Sequence, residues 1–127
     1  MEESMKFFAA CFLFTTTLFA DSFTLDNATP FRKIAVQWAS SARVAQESND
    51  SLMQGDEITP SNLHYPRQAK ATVAIPKSAS YFRVLVWQTK QNLPDLLTNW
   101  VELVPGKTYL LKEEHLTPLL LMNGMGC

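Results

Sequence analysis

The sequence predicts an all-β fold, and three observations carry that expectation. Short runs alternate apolar with polar residues, Pro, Gly and Asn separate them at close intervals, and no long amphipathic helix interrupts the series. The chain has 127 residues, a formal net charge of -1, 46% apolar residues and 18% charged ones. Those values fit a globular domain and exclude a disordered, collagen-like or coiled-coil chain. Near neutrality also withholds the long-range field that recognition of nucleic acid or anionic lipid draws on.

Ser22 to Asn27 alternates, with Phe23 and Leu25 on one face and Thr24 and Asp26 on the other, which is the period of a half-buried strand. A turn at Asn27 to Pro30 follows, and Arg32 to Ala39 repeats the pattern with Ile34, Val36 and Trp38. Ser40 to Asn62 is polar and punctuated by Gly55 and Pro60, so it reads as a long connection, either solvated or facing a partner. A short helix near Arg43 to Met53 has apolar support from Val44, Leu52 and Met53, but its Ser-Asn-Asp-Ser centre weighs against it. Arg67 to Ile75 alternates again and stops at Pro76, and Tyr81 to Thr89, apolar on both faces, reads as a central strand. Leu93 to Thr98 suits a helical turn with Pro94 in a first position. Trp100 to Val104 and Thr108 to Lys112 flank Pro105-Gly106-Lys107, the chemistry of a type II turn, and form the expected hairpin. Leu116 to Met122 supplies a last strand, confined by Pro118 to an edge or a bulge. About seven strands at this spacing predict an antiparallel, immunoglobulin-like β-sandwich, an architectural likeness only, because the paired cysteines of antibody domains are absent.

Ahead of this domain, Lys6 precedes an apolar run from Phe7 to Phe14, and Ala20 stands before Asp21 as a small residue suited to signal peptidase. A secretory signal peptide over 1–20, cleaved after Ala20, is therefore expected, with 21–127 as a single domain carrying the polar connection at 40–62. The run is shorter than the roughly 20 apolar residues that a bilayer-spanning helix requires. Translation from Met5 instead of Met1 gives a more basic start, and both starts stay open. The mature chain keeps one cysteine, Cys127, so it has no internal disulfide and suits a bacterial periplasmic or secreted protein. Cys127 is inert, a site of an intermolecular disulfide, or a reactive thiol.

Catalysis lacks a constellation. His64 and His115 lie in polar, turn-prone surroundings, no Gly-x-Ser-x-Gly elbow occurs, and neither zinc nor calcium spacing is present, so no catalytic residue, metal or cofactor is expected. Asn27-Ala28-Thr29 and Asn49-Asp50-Ser51 match the glycosylation acceptor rule, which matters only in a eukaryotic source. Tyr65 and Trp100, near strand ends, are the aromatic candidates for ligand contact. Leu119, Leu120, Leu121, Met122 and Met125 gather apolar side chains beside a predicted sheet edge, where another chain can dock. The residues thus point to a small exported, non-enzymatic structural or adaptor protein with protein partners in the envelope or outside the cell, such as an accessory subunit of a bacterial envelope or secretion complex. A secreted ligand-binding or inhibitory module, using Tyr65 and the 40–62 connection, is the second reading, and a small hydrolase the third.

Overall fold

The computed structural model describes residues 21–121, which form two β-sheets and one α-helix. The expected signal peptide and the candidate residues Met122, Met125 and Cys127 lie outside the described residues.

In the smaller sheet, β1 (Ser22–Asn27) runs between β4 (Lys70–Ala74), antiparallel to it, and β8 (Thr108–Leu111), parallel to it. In the larger, β2 (Ile34–Ala39) and β5 (Tyr81–Val86) pair along their whole length. The two-residue β3 (Leu63–His64) flanks β2. On the far side of β5 lie β6 (Leu96–Leu97) and β7 (Val101–Glu102), and β9 (Thr117–Pro118) borders β6. The alternation read from the sequence puts Phe23, Leu25, Val73 and Leu111 against Ile34, Val36, Trp38, Phe82, Val84 and Val86, all buried in one core between the sheets. Phe23 sits at its centre, stacked on Phe82 at 4.6 Å and met edge-on by Trp38 and Tyr109 at 6.3 and 5.6 Å.

Several expectations need correction. The Pro105-Gly106 turn forms, with the Lys107 N–H bonded to the Val104 carbonyl at 3.2 Å and Gly106 at φ 82, but the strands it joins belong to different sheets. β7 stays on β5 while β8 crosses to β1, so the expected hairpin is a crossover and one strand pair is parallel. Leu93 to Thr98 is not a helical turn: Leu96–Leu97 joins the sheet, and buried Pro94 precedes it. The last strand shrinks to Thr117–Pro118, after which Leu119 and Leu120 take helical backbone.

The polar connection holds α1 (Ala42–Met53), twelve residues long. Ser41 caps it, its hydroxyl accepting from the Val44 N–H at 3.2 Å, and Ala45 and Leu52 place one apolar stripe on the sheet. At the other end the Gly55 N–H bonds the Leu52 carbonyl and the Asp56 N–H bonds the Ser51 carbonyl, both bonds of a Schellman motif, with Gly55 at φ 86. Gly55→Ala is expected to destabilise the protein by about 1 kcal/mol, read as a lower urea midpoint, because the left-handed backbone there disfavours a Cβ.

Between β6 and β7 the chain bulges: Thr98, Asn99 and Trp100 oppose only Arg83 and Val84 of β5. The Thr98 hydroxyl fills the gap in the ladder, accepting from the buried Val84 N–H at 2.9 Å and donating to the Asn99 carbonyl at 2.9 Å. Thr98→Val keeps the shape and strands that N–H, so a loss of about 1–3 kcal/mol in denaturant unfolding is expected.

Candidate functional site

The outer face of the larger sheet carries the unusual chemistry. On β2 and β5, Ala35, Gln37, Arg83 and Leu85 do not enter the central core and are buried on this outer face, with Ile58, Leu63 and Leu119 packed against Ala35 and Leu85 and Asn49 of α1 against Arg83. Arg83 is 1% exposed and stands directly across from Gln37. Its Nε donates to Gln37 Oε1 at 2.7 Å, and its Nη1 donates to Oδ1 of Asn49, on α1, at 2.7 Å. The bulge turns Trp100 onto the guanidinium, whose centre lies 4.3 Å from the ring centroid, while the indole N–H donates to the same Asn49 oxygen at 3.1 Å. Among the described residues no carboxylate pairs with Arg83, and its Nη2 is buried without a hydrogen-bond partner. Burial pulls the Arg83 pKa down to about 10. The side chain is still a cation at neutral pH, held by amide dipoles and an aromatic face.

Trp100 is thus committed to the Arg83 cluster. Tyr65, the other aromatic candidate, is 53% exposed and leans on Trp87, with ring centroids 6.3 Å apart. Lys33 Nζ lies 5.8 Å from the Trp87 ring, and together with Glu57 and Asn92 these residues line a cleft of about 220 Å³ that does not include Trp100. The indole N–H of Trp87 donates to the Asn92 carbonyl at 3.2 Å, and the Asn92 amide donates to Glu57 Oε2 at 2.7 Å, which fixes the cleft wall.

Glu57 and Asn92 also border a larger cleft of about 750 Å³, whose opposite rim is Pro118, Leu119 and Leu120. Leu119 packs on the buried group of Ala35, Leu85, Trp87 and Leu97, and its N–H bonds the Asp95 carbonyl at 2.9 Å. Leu120 and Leu121 point outward, 71% and 53% exposed. Asp95 ties this end together, its carboxylate accepting from the Gln88 and Thr89 N–H groups at 2.6 and 3.1 Å and from the Gln91 amide at 2.9 Å. The structure therefore brings Tyr65 and Leu120 to neighbouring clefts with shared walls, and leaves Trp100 elsewhere.

His64 lies exposed on β3, and His115 Nδ1 accepts from the Lys112 N–H at 3.1 Å, closing a 3-10 turn at Glu113–His115. Both glycosylation-rule asparagines are engaged: Asn27 bonds Thr29 and the Phe31 carbonyl, and Asn49 holds Arg83 and Trp100. Among the described residues no group of three or more His, Cys, Asp and Glu could hold a metal, and no helix is long and apolar enough to cross a membrane.

Gln37, Asn49 and Arg83 escaped the sequence reading. Their one signal was a lone cation inside Tyr-Phe-Arg-Val-Leu-Val, a run apolar on both sides, where an exposed strand face would carry more than one polar residue. Comparison with protein-family models, curated proteins and solved structures finds no match.

Proposed function

We propose that the chain is a small exported, non-enzymatic adaptor that binds other proteins, serving as an accessory subunit of a bacterial envelope or secretion complex. One observation carries the reading: Leu120, at the rim of the 750 Å³ cleft, and Leu121 next to it hold apolar surface in water, while Leu119 beside them is anchored in the second core. Adjacent exposed leucines on a fixed base are the kind of anchor that protein interfaces bury. We read the two sheets and their shared core as an immunoglobulin-like sandwich with one parallel pair. Export rests on the leader, and cleavage after Ala20 leaves Asp21, whose carbonyl accepts from the Ile75 N–H at 2.7 Å, at the start of the first sheet.

The test is purification of the protein from its native cells with a tag inserted after Ala20, followed by mass spectrometry. A reproducible envelope complex, lost in a Leu120→Asp/Leu121→Asp variant that still folds, is expected. A free mature domain in both cases overturns the reading. In the untagged protein, intact mass is expected to place the mature N-terminus at Asp21; retention of residues 1–20 overturns export by this route.

The second reading, a ligand-binding module, draws on the cleft between Tyr65, Trp87 and Lys33. Saturable quenching of tryptophan fluorescence by a soluble sugar or small aromatic compound, abolished by Tyr65→Ala, favours it over the adaptor.

A further inference from the structure

The edge of the smaller sheet offers a second, independent surface. The Asn27 N–H bonds the Ala69 carbonyl and the Ile75 N–H bonds the Asp21 carbonyl, each at 2.7 Å, which fixes the phase of the β1–β4 ladder. Ala69, Ala71, Val73 and Ile75 face β1, so Lys70, Thr72 and Ala74 turn their N–H and C=O groups away from it. Among the described residues no strand pairs with that side of β4. A row of backbone donors and acceptors at strand spacing is a template for one more strand.

The charge along this edge is one-sided. From Pro66 to Lys77 the chain carries Arg67, Lys70 and Lys77 and no acidic residue, in a protein whose formal net charge is only -1. At the start of β4, Arg67 and Arg32 line one cleft of about 320 Å³, floored by Phe31 and Ile34 and bordered by Asn27. The only ion pair among the described residues joins Arg43 to Glu47, on α1; Asp26 stands across from Lys70 on β1 without forming an ion pair with it, and Arg32, Arg67 and Lys77 form none either.

We infer that β4 accepts an extended acidic segment of another protein as an added strand, its carboxylates meeting Arg67, Lys70 and the Arg32–Arg67 cleft. Backbone bonding supplies the docking geometry and the basic residues supply the sign. A second copy of this chain is the poorer occupant. Two β4 strands paired antiparallel about Thr72 would set Arg67 against the other copy's Lys77, and like charges directly opposite oppose pairing. A single edge lysine also guards a sheet against unwanted pairing. A guard has no use for two arginines gathered on one cleft at the strand's end. The inference does not rest on the leucine surface, and it gives an adaptor a second face.

The experiment follows backbone amide exchange of the full-length protein by NMR, with a short capped peptide alternating Glu and Val and its Lys-Val counterpart as probes. The Glu-Val peptide is expected to slow exchange at Lys70, Thr72 and Ala74, less so at high salt. Thr72→Pro, which removes one outward N–H, is expected to abolish the protection. Arg67→Glu/Lys70→Glu, which leaves the ladder intact and serves if the proline variant fails to fold, weakens binding about tenfold. Protection absent with Glu-Val, equal protection by Lys-Val, protection unchanged in the charge-reversed variant, or a peptide-independent dimer that Thr72→Pro dissolves each overturns the inference.

Discussion

Replacing Asn49 with Ala is expected to destabilise the protein more than replacing Arg83 itself with Met. Asn49 Oδ1 receives both the Arg83 Nη1 and the Trp100 indole N–H, so its loss leaves a buried cation with Gln37 as its sole hydrogen-bond partner. Removing one partner of a buried charge costs about 3–5 kcal/mol, whereas exchanging the charge for an apolar side chain of similar reach is often nearly neutral. Arg83→Met should therefore lower the urea midpoint only slightly, and Asn49→Ala on the Arg83→Met background should cost much less than Asn49→Ala alone. An Arg83→Met variant less stable than Asn49→Ala, with additive effects, would mean that the guanidinium stabilises the fold outright. Alkaline titration gives an independent reading. Folding pulls the Arg83 pKa down from its ordinary value to about 10, so the unfolded chain holds this proton to higher pH than the folded one. The penalty of burying the charge is present in full below pH 10 and is relieved as pH rises above 10 toward the ordinary arginine value, a window in which Arg83 makes stability increase with pH. Tyr109 acts in the opposite direction. Burial, then the nearby Glu102, raises its pKa above 10.0, so its contribution is complete below pH 10 and is lost as pH rises through the folded value. Comparing Tyr109→Phe with and without Arg83→Met separates the two.

Phe23→Ala carries the other large effect, a loss of about 3–5 kcal/mol. The ring is buried where both sheets meet and touches Phe82, Trp38 and Tyr109 at once, so no single neighbour can collapse into the space it leaves. Against a total stability of about 5–15 kcal/mol, such a change brings the variant close to unfolding at physiological temperature. Phe23→Leu, which keeps most of the volume, should cost less than half as much. Denaturant unfolding of both variants checks the order; equal losses would indicate that the aromatic contacts, and not the filled volume, dominate.

Much of the fold was legible because its long strands obey one rule. Ser22–Asn27 matches its sequence reading residue for residue, and Ile34–Ala39 and Tyr81–Val86 fall inside theirs, because alternation decides which face is buried before any partner is known. What alternation lacks is the identity of the partner. Pro105-Gly106 announced a reversal of the chain, but nothing local to that turn distinguishes a hairpin from a step between sheets. The helix, which the sequence offers near Arg43 to Met53 but weighs against, is underrated there for a related reason. Ser48, Asn49, Asp50 and Ser51 are poor helix formers in isolation, and it is the contact of Asn49 with Arg83, together with the caps at Ser41 and Gly55, that keeps them helical. β6 was hidden, and β7 is shorter than the Trp100 to Val104 strand read from the sequence, because the bulge at 98–100 divides one path into two pieces of two residues each. Tyr65 and Leu120 were singled out from composition and position and each lines a cleft, while the Arg83 cluster required knowing that both faces of β5 are covered.

The parallel pairing of β1 with β8 has a mechanical consequence. β1 opens the described chain and β8 is the last strand of more than two residues, so a pull on the two ends drags these neighbours in opposite directions along their length. Tension first peels the short β9 from β6, then meets the bonds from Thr24 to Lys107 and from Ala28 to Leu111 side by side. Those bonds share the load and break together, where a hairpin would unzip one rung at a time. A domain built this way resists stretching along its own chain.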